Sequence, residues 1–148
     1  MDLALLCDMR IASTNGSFAA VTARRNLLPE SGGTWLLPRL VGWGKAAEMF
    51  FRGQVVRADR CRELGLVNDV VEPELLLPTA LQWAREVAQN APMAVQLTKR
   101  MMRQGLFETY ETTVDHLLVH LRTLMGMQDF REGVSAFMER REPNFSGR

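Results

Sequence analysis

The segment Phe18–Gly42 (FAAVTARRNLLPESGGTWLLPRLVG) constrains the chain most, and within it Leu28-Pro29-Glu30-Ser31-Gly32-Gly33-Thr34. Pro29 fixes its own φ and drives Leu28 into an extended conformation. The paired glycines let a second stretch of backbone or a ligand come close. Glu30 is thereby held on a shaped turn with apolar residues on both sides, a setting in which a carboxylate can serve as acid and base. On this segment alone, a surface turn leading into a helix, with Glu30 near the positive helix end, is the simpler reading.

With 148 residues, 47% of them apolar, the chain is long enough for one globular domain with a real core. Eighteen Lys and Arg against 17 Asp and Glu give a formal net charge of +1, which points to no nucleic-acid or polyanion partner. Cys7 and Cys61 lack CxxC spacing, and Cys7 lies in an apolar run, so a buried, reduced thiol in a cytoplasmic protein is expected. No apolar run reaches the roughly 20 residues a membrane span needs, and no basic leader precedes the first apolar run. That run, Met1-Asp2-Leu3-Ala4-Leu5-Leu6-Cys7, starts inside an apolar element, as the second half of a longer domain would.

Periodicity predicts a short helix over 1–7, a strand over 8–13, a turn at Thr14-Asn15-Gly16 and an extended piece over 17–22. After the Pro/Gly loop come helices over 44–51, closed by Gly53, and over 58–64, followed by Gly65. A strand over 66–71 leads to helices over 73–90 and 92–104, each with Pro at its first position. Val114, Leu117, Leu118, Leu121 and Leu124 make an apolar stripe on a helix over 109–125, and a last helix covers 129–140. The front is mixed α/β and the back all helix. The helices from Pro92 onward are too apolar to stand alone and are expected to pack on another subunit.

Four segments, in this order, resemble the crotonase superfamily of enoyl-CoA hydratases and isomerases. Asp2-Leu3-Ala4-Leu5-Leu6-Cys7-Asp8 is similar to the motif that follows the family's Gly-rich turn. Phe18-Ala19 with Pro29-Glu30-Ser31-Gly32-Gly33-Thr34 is similar to its P-x-x-G-G-T loop. Ala58-Asp59 through Glu63-Leu64-Gly65-Leu66-Val67-Asn68 resembles its G-L-V motif. Glu132-Gly133 through Ala136-Phe137-Met138-Glu139-Arg140-Arg141-Glu142-Pro143-Asn144-Phe145 resembles its C-terminal signature. The order and spacing together carry the resemblance, over nearly the whole chain.

The resemblance implies an α/β crotonase-like fold, a ββα spiral present here as its C-terminal half over residues 1–72, followed by a helical trimerisation region over 73–148. It implies an acyl-CoA thioester substrate, with CoA as part of the substrate and no separate cofactor or metal. The chemistry it implies is an enolate stabilised by two backbone N–H donors, with carboxylates moving protons. By resemblance both donors lie upstream of Met1, so the chain is expected to be a fragment or to need a second chain. Glu30 falls where some isomerases of the family carry a carboxylate, and Asp2, a shorter side chain, where many hydratases carry their first glutamate. Thr22 falls where hydratases carry their second, and a hydroxyl cannot replace it as acid or base. One strong carboxylate suits a double-bond shift, so isomerisation is expected ahead of hydration. Leu28 and Pro29 would border the substrate. Phe137, otherwise a core residue, and Arg140, otherwise a solvated charge, would reach a neighbouring subunit's CoA, the guanidinium facing phosphate. A trimer or dimer of trimers is implied, with no nucleic-acid or membrane partner. The competing reading is an inactive oligomerisation module.

Other features are weaker. His116 and His120 have a metal-ligand spacing on one helix, without further partners at a matching interval. Met101-Met102, Trp35, Trp43 and Trp83 are expected to be packing residues.

Overall fold

The computed structural model describes residues 1–148. They divide into two compact units, Met1–Ala80 and Leu81–Arg148.

The first unit opens with one helical turn, α1 (Asp2–Leu5), then β1 (Ile11–Ser13) and β2 (Ser17–Ala19). Gly16 makes the turn between the strands, its N–H donating to the Ser13 carbonyl at 2.7 Å. A Cβ at Gly16 would lie 2.9 Å from that oxygen, so a side chain there would push the turn apart. A 3-10 turn over Thr22–Arg25 ends at Asn26 in the left-handed region. Helices α2 (Gly33–Val41) and α3 (Trp43–Arg52) are separated by Gly42, at φ 80° and ψ 157°, a conformation that suits glycine. Then follow β3 (Val55–Arg57), α4 (Ala58–Glu63) and β4 (Asp69–Val71). The strands form two small sheets. β1 pairs with β4 in parallel, Ala12 opposite Val70, and β2 pairs with β3 antiparallel, Phe18 opposite Val56. Leu37, Cys61 and Leu66 are fully buried, with Leu5, Ala46, Met49, Ala58 and Val67 around them.

A 3-10 turn over Pro73–Leu75 leads into α5 (Leu76–Ala88), within which the division between the units falls. The second unit continues with α6 (Pro92–Gly105), α7 (Tyr110–Met125) and α8 (Gln128–Glu139). Pro92 opens α6 at its first turn, where its missing N–H is harmless. Thr109 caps α7, accepting from the Thr112 N–H at 3.3 Å. No helix is long and apolar enough to cross a membrane.

Several expectations need correction. Residues 33–41, an apolar segment with no element assigned beyond a turn leading into a helix, form α2. Pro38 removes one ladder donor, but the helix buries Leu37 completely, and that burial outweighs the lost bond. The strand expected over 66–71 is confined to Asp69–Val71, since Leu66 and Val67 are buried in the turn after α4. β3 went unseen because three residues give too short an alternation. Cys7 is exposed, not buried: α1 ends at Leu5 and the chain turns outward, the thiol lying 3.7 Å from the Leu3 carbonyl. Cys61 is buried, and desolvation pushes its thiol pKa up. Trp43 and Met102 are 78% and 70% exposed, so neither packs in a core. Trp35 instead lies under the Arg39 guanidinium, 3.9 Å from ring centroid to Cζ.

Candidate active site

Four pieces of the first unit converge on one cleft of about 310 Å³. Met1 and Asp2 come from the start of α1, and Ala19 and Ala20 from the end of β2. Thr22 opens the 3-10 turn, and Pro29, Glu30 and Ser31 come from the turn before α2. Ala20 is buried, its N–H donating to the Gln54 carbonyl at 3.2 Å, and this ties the cleft floor to the strand pair. Asp2, Thr22 and Glu30, far apart in sequence, thus border the same space. Pro29 is among them. Leu28 is not, and its side chain is 78% exposed.

Glu30 is exposed at the rim, on the turn that Gly32 closes at φ 81°. The Gly32 carbonyl accepts from the N–H groups of Trp35 and Leu36 at 3.0 and 2.9 Å, so the turn runs directly into α2. Asp2 is half-buried and lies against the head of that helix. The chemical content is two carboxylates and two hydroxyls, of Thr22 and Ser31, about a small opening. It can accept and return a proton, and Thr22 adds hydrogen bonding without titrating. The GGT motif already signalled a close approach at Gly33. What only the coordinates add is that Asp2 is the residue making it.

Phe137 and Arg140 belong to the second unit. Phe137 is 82% exposed on the last turn of α8, which corrects the reading of it as a core residue. It lines an apolar groove of about 400 Å³ with Met93, Leu121, Leu124, Phe130 and Phe145 among others. Arg140 closes α8 in the left-handed region, at φ 55°, and is exposed. Its neighbour Arg141 is engaged, pairing with both oxygens of Glu132 at 2.6 and 3.0 Å and with Glu139 at 2.6 Å. Arg141 and the Asn144 N–H hold the Glu132 carboxyl down to about 2. Asp129, buried, accepts from the N–H groups of Ser146 and Gly147, each at 2.8 Å, and its pKa is lowered by these bonds. The two carboxylates thus clasp the C-terminal tail onto α8. His116 pairs with Glu108 at 3.1 Å.

The enoyl-CoA hydratase/isomerase family model matches residues 1–148, and the chain belongs to that family. It is 36% identical over 148 residues to a crotonyl-CoA hydratase of Syntrophomonas wolfei, covering 97% of this chain and 55% of that protein. It is 35% identical over 146 residues to the 1,2-epoxyphenylacetyl-CoA isomerase of Escherichia coli, covering 99% of this chain and 56% of that protein. The fold superposes on an enoyl-CoA hydratase from Bacillus anthracis with a TM-score of 0.95 at 34% identity, over 99% of this chain and 57% of that one. The crotonase fold is therefore established for this stretch, and the chain spans a little over half the length of these relatives.

Proposed function

We propose that this chain carries the acid/base part of an enzyme that shifts a double bond in an enoyl-CoA through a thioester enolate. Glu30 takes a proton from one carbon and returns it to another. The observation that supports this reading is the cleft that Glu30 borders, with Thr22 where a second strong acid or base would stand. A thioester makes the neighbouring C–H only weakly acidic, so one carboxylate suffices only if the enolate oxygen is stabilised at the same time. In the whole protein the helical region 73–148 joins subunits into a trimer or dimer of trimers in the cytoplasm. There Pro29 borders the acyl group, and Phe137 and Arg140 meet a neighbour's CoA, with the guanidinium on phosphate. The likeness to the E. coli isomerase supports the isomerising form.

Addition of water to a 2-enoyl-CoA is the second reading. It is favoured by the presence of Asp2 beside Glu30 in the cleft, since hydration uses two groups, and by the hydratases among the relatives. One experiment separates the two. In the whole protein, turnover of a 3-enoyl-CoA is compared with hydration of crotonyl-CoA, for the parent and for Glu30→Gln. Faster isomerisation, lowered roughly 10²–10⁴-fold in kcat by Glu30→Gln, is the expected result. Hydration as the faster reaction overturns the isomerase reading, and a Glu30→Gln enzyme with parental turnover removes Glu30 from its role.

A further inference from the structure

The head of α2 contains a contact that proton transfer alone does not call for. Gly33 is buried, and a Cβ built on it would lie 2.8 Å from Asp2 Oδ1 and 2.9 Å from Pro29 Cβ. Separations under 3.0 Å are ones that real Cβ atoms essentially never show. The Asp2 carboxylate and the Pro29 ring therefore fill, from two sides, the space a side chain at 33 would need. Pro29 is bonded directly to Glu30, so whatever sets the proline sets the turn that presents the glutamate. Gly32, the residue that caps α2, brings no side chain of its own, and the Asp2 carboxylate supplies negative charge at that positive helix end.

We infer that Asp2 is a positioning residue: through Gly33 it braces Pro29 and the start of α2, and so fixes Glu30, while Glu30 alone carries the proton. This rests on the reading of Glu30 as the acid/base. The expected sensitivity follows from geometry, since displacing a reacting group by about 1 Å can lower a rate about 10²-fold.

The test uses the whole protein and two substitutions at one position. Asp2→Ala empties the space against Gly33 and is expected to lower kcat roughly 10²-fold, with KM changing less. Asp2→Asn keeps the shape and removes the basic oxygen. It is expected to recover about tenfold or more of that loss, and to leave the shape of the parent's pH–rate profile unchanged. An Asn variant no faster than the Ala variant, or one whose profile loses a limb of the parent's, shows that Asp2 itself transfers a proton and overturns the inference. Parental turnover by Asp2→Ala overturns it as well. Should the Ala variant fail to fold in a thermal melt, the pH profile of Asp2→Asn decides alone. Parental turnover by Glu30→Gln would instead defeat the underlying reading, which separates the two failures.

Discussion

In the unit Met1–Ala80, α1 to α4 each bury apolar residues in a shared core. In Leu81–Arg148, the helices leave their apolar faces open. Around α4 the apolar residues Ala58, Cys61 and Leu66 are 1%, 0% and 0% exposed. On α7 the stripe residues Leu117, Leu118 and Leu121 are 46%, 56% and 44% exposed. Both stretches carry helical apolar spacing in the sequence, yet only around α4 is that spacing fully enclosed within its own unit. The second unit buries only Ala136 and Asp129, and its tail is held by the Glu132 and Asp129 carboxylates together with Phe145 in the apolar groove. Amphipathic periodicity states that a face exists and does not state what covers it.

The contrast can be broken most directly at Leu66. Leu66→Ala should destabilise the protein by about 2–5 kcal/mol, read from the urea midpoint, because the site is fully enclosed. A loss below 1 kcal/mol would mean that this core collapses around the gap, and the difference between the units would shrink.

Gly53→Ala tests the same unit at its backbone. Gly53 sits at φ 57°, and an added Cβ would meet Arg24 Nε at 2.8 Å and Cγ at 2.9 Å. The left-handed conformation alone should cost about 1–2 kcal/mol, and Arg24→Ala in the same molecule should recover any excess due to the contact.

The tail clasp sharpens the other side. Glu132 and Asp129 have lower pKa values folded than unfolded, so their stabilising effect is complete above the ordinary carboxylate range. For Glu132 it is lost as pH falls from about 4.5 toward about 2. The protection factors of the Asn144, Ser146 and Gly147 amides should therefore fall through that acid window while the amides of the first unit's core stay protected. A uniform loss of protection would show that the tail opens only with the whole protein.

The smallest effect is expected at Leu118. In dilute monomer, Leu118→Ala should change stability by no more than about 0.5 kcal/mol, because the side chain is already more than half exposed. A large loss that grows with protein concentration would identify the surface that covers it.

The candidate site was partly legible in the chain. Pro29, Glu30 and the Gly pair announce a shaped turn through their own backbone restrictions, and Gly53 and Gly65 marked the ends of α3 and α4, because these effects act within a few residues. The pattern also foretold α6, α7 and α8 to within a residue or two, through proline at a first turn and helical spacing. Long-range packing was not legible. Helix α2 forms across Pro38 because Leu37 is buried by segments distant in sequence, and Trp43 and Cys7 face outward because of where short elements end. The sequence by itself determined the family, the shaped turn that carries Glu30 and the existence of apolar helix faces, all carried by residue type and local spacing. Only the tertiary structure decided that Asp2, Thr22 and Glu30 border one cleft and that Asp2 lies against Gly33, because those contacts join residues about 30 positions apart, a separation that no local conformational rule spans.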